Sequence, residues 1–177
     1  MDWTVFAGAL IGSGVASAFA GWVLTSWTTK KQKEEKGKFL SNKLAVKFER
    51  YAIVLANSLN DDLLYEDTYG SPYPEQGAPL MRIPTPPEIV LEPTYEFFKA
   101  DLRDRVMQFE DDIAVTNLRL ASASDVLDGE EVNRYAVEDC KRIGKMAIEL
   151  SIDLRENYKL AKRSLSFGQW DVSNEFD

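Results

Sequence analysis

Residues 3 to 27 read WTVFAGALIGSGVASAFAGWVLTSW, and from Trp3 to Thr29 the chain has no Lys, Arg, Asp or Glu. As a helix rising about 1.5 Å per residue, such a stretch extends about 37 Å, more than the roughly 30 Å hydrocarbon core of a bilayer. Trp3 at one end and Trp22 and Trp27 near the other place indole rings where they favour the headgroup level. Residues 1–29 therefore read as a transmembrane anchor bathed in membrane lipid. Ala18, Phe19 and Ala20 also fit the small-x-small pattern of a cleaved signal peptide. Against cleavage stand Asp2 with no basic residue before the apolar run, the continuation of that run through Trp22, Val23 and Leu24, and the lysines that follow it.

Those lysines, Lys30, Lys31, Lys33, Lys36 and Lys38, make residues 30–38 a basic juxtamembrane segment. Cations on only one side of a span orient it, so the expectation is a single-pass protein with its amino terminus outside and its carboxy-terminal domain in the cytoplasm. Lys30, Lys31 and Lys33, with the three tryptophans, are the expected membrane-interface residues. Within the span, Gly8, Gly12, Ala16 and Ala20 recur every four residues, and Ser13, Ser17 and Gly21 form an adjacent row with Ala9. Rows of small residues let helix backbones approach closely, so the span is expected to pair with another copy or another membrane helix.

The rest of the chain reads as all-α: an antiparallel bundle of three long helices over residues 39–165, interrupted by a proline-rich crossover at 67–93 and followed by an acidic, aromatic tail at 166–177. Leu40, Leu44, Phe48, Tyr51, Leu55 and Leu59 fall at steps of three and four, one face of a helix that either continues the span as a stalk or bends at Gly37. All seven prolines lie between Pro72 and Pro93, where no helix can run through. Leu80-Met81 and Ile89-Val90-Leu91 are the apolar pins expected to hold this segment on the helices. A second helix is expected just after Pro93, with Tyr95, Phe98, Leu102, Val106, Phe109, Ile113 and Leu120 on its buried face. A turn at 124–129 capped by Asp128 or Gly129 leads to a third helix, from Val132 past Ala161 to about Ser164. Such helices bury their stripes against one another as in coiled coils, knobs between long helices.

Charge narrows the functions. Of the net −8, Asp2 contributes −1 and residues 30–38 contribute +3, leaving −10 for residues 39–177. No basic stripe is legible after Lys38, which argues against nucleic acid as a partner. Histidine is absent, removing the usual proton shuttle and the commonest metal ligand. Carboxylates cluster at Asp61-Asp62, at 110–112 and at Glu130-Glu131, a pattern of solvated helix faces rather than of a di-metal site. Cys140 has neither a histidine partner nor a second cysteine for a disulfide, and no phosphate-binding glycine motif occurs outside the span. Asp139, on the apolar stripe, is matched with Arg105 as a packing pair. No cofactor, metal or small-molecule substrate is indicated, and no catalytic residue is assigned.

Candidate partner-binding residues are Tyr69 and Tyr73, Pro84 and Pro87 of a P-x-x-P match, and Phe167 and Trp170 of the tail, whose aromatics either fold back or stand free as a linear motif. The expectation is a non-enzymatic, membrane-tethered interaction module that forms homo-oligomers or engages another protein. A membrane-active pore or lesion former regulated by its acidic domain is the alternative, and an enzyme with a cleft beneath the proline-rich segment is the third.

Overall fold

The computed structural model describes residues 15–71, 76–86 and 98–177, with side chains from Thr25 onward. Among these, three long α-helices dominate: α1 (Val15–Thr68), α2 (Ala100–Ser124) and α3 (Gly129–Asn157). A two-residue hairpin, β1 (Ser166–Phe167) with β2 (Trp170–Asp171), and a 3₁₀ helix (Val172–Phe176) complete the chain.

The apolar spacing explains the packing. Leu44, Phe48, Tyr51, Leu55 and Leu59 of α1 are buried, and so are Ala45, Ala52 and Ala56 beside them. On α3 the small residues Ala136, Cys140 and Ala147 are buried too. Small residues on both sides bring α1 and α3 close. The Ser41 hydroxyl then reaches the Leu154 carbonyl at 2.7 Å, and the Cys140 thiol faces the Leu55 carbonyl at 3.7 Å. Helix α2 meets the pair through larger groups, with Phe109 edge-on to Phe48 and Tyr51 at ring separations of 5.1 and 5.8 Å. Such edge-to-face contacts add to plain area burial.

The cross-links define direction. Ser41 pairs with Leu154 and Asp62 with Asn133, so α1 and α3 are antiparallel. Arg105 pairs with Asp153 and Arg119 with Asp139, so α2 and α3 are antiparallel as well. The expected pairing of Asp139 with Arg105 is therefore corrected. The register carries Arg105 toward the end of α3, and Asp139 takes Arg119 and Arg142, the latter at 3.3 Å. Helices α1 and α2 run parallel, and between them residues 80–84 run back along α1 from Asp62 to Tyr51.

That segment is held by polar side chains at its described residues. The Leu80 amide donates to the Asp62 carboxylate at 2.7 Å, and the Asn133 amide donates to both Asp62 and the Leu80 carbonyl. Asn117 accepts from the Ile83 amide at 2.8 Å and donates to its carbonyl at 3.1 Å, while Tyr51 donates to the Pro84 carbonyl at 2.6 Å. Leu80 and Ile83 are buried, whereas Met81 points outward; Ile89 to Leu91 lie outside the described residues.

Helix boundaries differ from expectation at two places. Helix α2 begins at Ala100, not directly after Pro93, because Lys99 has extended backbone; Tyr95 lies outside the described residues. Helix α3 stops at Asn157, not near Ser164, and Ala161 is exposed. There the Leu160 amide bonds the Arg155 carbonyl at 2.8 Å and the Lys159 amide bonds the Glu156 carbonyl at 3.2 Å, with Lys159 at φ 52°. This is the Schellman closure, which turns the chain out of the helix. At the other end of α3, the Asp128 carboxylate caps the Glu131 amide at 2.9 Å.

The tail folds back. Val172 and Phe176 are buried against α3, Phe176 lying over Gly144, and Asp177 engages Lys145 at 3.1 Å. Among the described residues, no helix is long and apolar enough to cross a membrane. The first part of the candidate span, Trp3 to Gly14, lies outside them.

Candidate functional site

Helix α1 does not bend at Gly37. It runs unbroken from Val15 to Thr68, and Gly37 is buried because Tyr158 lies across it, its Cε1 atom 2.8 Å from where a Cβ would stand. Phe98 packs edge-on to Tyr158 at 5.8 Å, so the start of α2 and the end of α3 meet α1 at the level of Gly37. Burial pushes the Tyr158 hydroxyl above its ordinary pKa. Residues 25–36, in contrast, are exposed on every side. They form a stalk leaving one end of the bundle, with Val15 about 33 Å beyond Gly37 at helical rise.

The expected interface residues lie on this stalk or beyond it. Trp27 is 64% exposed, and the Lys31 ammonium sits 5.8 Å from its ring centroid. Lys30 and Lys33 are exposed. Ala16, Ser17, Ala20, Gly21 and Trp22 belong to α1, but their side chains lie outside the described residues, as do Trp3, Gly8, Gly12 and Ser13 altogether. The pairing of these rows is thus not addressed by the geometry.

The candidate partner-binding residues are not gathered in one place. Tyr69 is exposed at the far end of α1, where its ring lies 5.4 Å from that of Tyr65. Pro84 is half-buried beside Tyr51, and its carbonyl is occupied by the tyrosine hydroxyl. Phe167 stands exposed on the hairpin, whereas Trp170 packs against the core and donates to Glu175 at 2.7 Å. Tyr73 and Pro87 lie outside the described residues.

Two open hollows adjoin at the far end, of about 470 and 710 Å³, sharing Asp62, Glu66, Glu130 and Asn133. Asp62 is buried, but it is occupied in holding Leu80 and Asn133. Among the described residues, no group of three or more His, Cys, Asp or Glu is placed to hold a metal ion. Burial, followed by the nearby Asp62 and Asp139 charges, pushes the Cys140 thiol up to about 12, so it packs as a small apolar group. The buried Glu49 carboxylate binds Arg155 at 2.6 Å and Arg163 at 3.2 Å, a structural clamp between α1 and the chain after α3. The groups that hold the crossover and the turn, Asn117, Asn133 and Arg163, are ones that sequence reading missed, because isolated amides and cations carry no periodic signal.

Compared with protein-family models, with curated proteins and with solved structures, the chain matches none. Its functional reading therefore rests on its own residues.

Proposed function

We propose that the chain is a membrane-anchored, non-enzymatic interaction module, tethered by residues 1–29 with its amino terminus outside and its helical bundle in the cytoplasm, and self-associating through the small-residue rows of the span. The observation that carries this reading is the continuity of α1. One helix leads from core positions such as Phe48 through an exposed stalk into the charge-free stretch. An isolated helical projection in water is marginal, since most helical stability comes from packing on something else. Lipid around residues 3–27 supplies that environment, and Trp27 with Lys30, Lys31 and Lys33 then falls at the headgroup level. The inert packing of Cys140 favours a binding role over covalent chemistry.

Carbonate extraction of membranes with protease added outside the cell tests the anchor and its direction: the chain is expected to stay in the membrane fraction, its bundle protected. Recovery in the soluble fraction with residues 1–29 intact, or digestion of the bundle from outside, overturns the reading. Amine-reactive crosslinking through the stalk lysines tests self-association. A dimer band that disappears in Gly12→Leu and Ala16→Leu is expected, and a monomer band in all three chains excludes pairing by the span. Release of dye from vesicles holding the purified chain would replace the module with a pore.

A further inference from the structure

The −10 of residues 39–177 is not spread evenly over the bundle. At the end remote from the stalk, residues 61–67 bring four carboxylates and residues 125–131 four more, with no Lys or Arg in either segment. The stalk end is the reverse. Residues 30–38 carry +3, with Lys38 paired to Glu34 at 3.0 Å. Residues 156–163 carry +2: Lys162 is paired to Glu156 at 3.3 Å, Arg163 is engaged by Glu49, and Lys159 is the third cation. The fold brings these segments together, since Tyr158 covers Gly37. The Glu34 carboxyl is held below its usual range by its hydrogen bond and charge contact with Lys38, with Lys159 and Lys30 contributing, which puts Lys159 beside the stalk.

Lys159 is also strained. It occupies the left-handed position of the Schellman closure at φ 52°, where glycine is the usual residue because a Cβ is disfavoured. A cation there complements the helix dipole, yet Arg155 already stands in the last turn of α3. A side chain kept against its backbone preference calls for another use.

We propose that the stalk end of the bundle is a docking surface for anionic lipid headgroups, built by Lys159 and Lys162 together with Lys36 and Lys38. This rests on the anchored reading. Lys159 follows Tyr158, which covers Gly37, ten residues beyond Trp27 and at helical rise about 15 Å from the headgroup level. The extended lysine stem carries the ammonium from there toward the Debye length of about 8 Å at physiological salt. A cation that reaches the headgroups multiplies surface affinity about fivefold, and less with distance. The acidic far end is repelled by the same surface, so docking sets the bundle upright with its hollows and Tyr69 turned to the cytoplasm. Lipid is favoured over a soluble polyanion because the collar surrounds the point where the chain enters the membrane.

The test is acetylation of the full chain in phosphatidylcholine vesicles with and without phosphatidylserine, read lysine by lysine by mass spectrometry, with carbonate extraction as a separate measure of anchoring. Phosphatidylserine is expected to slow labelling of Lys159 and Lys162 about fivefold or more relative to Lys141, and salt is expected to restore it. Lys159→Gly, which relieves the backbone, is expected to leave the chain folded while Lys162 loses most of its protection; Lys159→Arg keeps it. A carbonate-resistant chain whose labelling ignores phosphatidylserine overturns the docking surface and leaves the anchor standing. If carbonate strips the chain, the anchor reading fails. Docking is then judged by adding phosphatidylserine vesicles to the stripped chain: protection supports it and its lack overturns it. Equal protection by inorganic polyphosphate overturns the assignment to lipid.

Discussion

Gly144→Ala tests the docking of the tail, because two effects of opposite sign meet at one atom. Gly144 lies inside α3, where exchanging glycine for alanine ordinarily stabilises a helix by about 1 kcal/mol. A Cβ at this position, however, falls well inside van der Waals contact with the Phe176 ring, which is 2% exposed. The ring is packed in the same core cluster as Val172, Ile143 and Ala147. It must leave, and fully burying such a side chain is worth about 1.5–3 kcal/mol. The clash therefore outweighs the propensity gain, and a net loss of about 0.5–2 kcal/mol is expected. Urea unfolding of the full chain in detergent, followed by circular dichroism, measures it. In a Phe176→Ala background the sign should reverse, the same Gly144→Ala change now stabilising by about 1 kcal/mol, and the double-mutant cycle isolates the contact. Stabilisation by Gly144→Ala in both backgrounds would refute the packing of residues 172–176 on α3.

Three further outcomes are expected. Glu49→Ala leaves the buried Arg155 charge without a carboxylate, its remaining acceptors being the Ala161 carbonyl and Asn42, and should cost about 3 kcal/mol in the same unfolding assay, whereas Arg163→Ala, which removes an exposed partner, should cost about 1 kcal/mol or less. Asn117→Ala removes both hydrogen bonds to Ile83 and should cost about 2 kcal/mol; it should also speed tryptic cleavage after Arg82, and an unchanged cleavage rate would show that other contacts hold the crossover. The Cys140 value is raised in the folded chain, so the native state keeps its proton longer than the unfolded state. Its contribution is complete below the ordinary value of 9.0 and is lost as pH climbs toward about 12, and Cys140→Ala should unfold with a shallower dependence on pH across that window.

Much of the bundle was legible because its signal is periodic. Leu44 to Leu59 on α1, Leu102 to Leu120 on α2, and Val132, Ala136, Ile143, Ala147, Leu150 and Leu154 on α3 are buried as their spacing requires, whereas Tyr135 of the same α3 stripe is exposed and Met146 only partly buried. What was not legible depends on contacts between segments distant in the chain. Lys159 ends α3 by a backbone conformation that its side chain disfavours, so no glycine marked the stop. Asp139 found Arg119 because antiparallel register, which no local pattern encodes, decides which turn faces which. The tail looked aperiodic, yet Val172 and Phe176 are among the most buried residues, held by a short hairpin and an Asp171 cap on the Ser173 amide rather than by a long helix.

Charge shows the same division most sharply. Counted along the chain, residues 39–177 are simply acidic, and the count argued against nucleic acid as a partner. Folding changes the meaning of that count without altering it. The parallel course of α1 and α2 and the return of α3 carry residues 61–67 and 125–131 to one end, while Lys159, Lys162 and Arg163 come back to the stalk. A screening length of about 8 Å is far shorter than the bundle, whose α1 portion from Gly37 to Thr68 extends about 46 Å, so a surface at one end responds to the charges there and not to the net. The acidic total and a basic stalk end are therefore compatible, and the two ends of this domain present different charge to their surroundings.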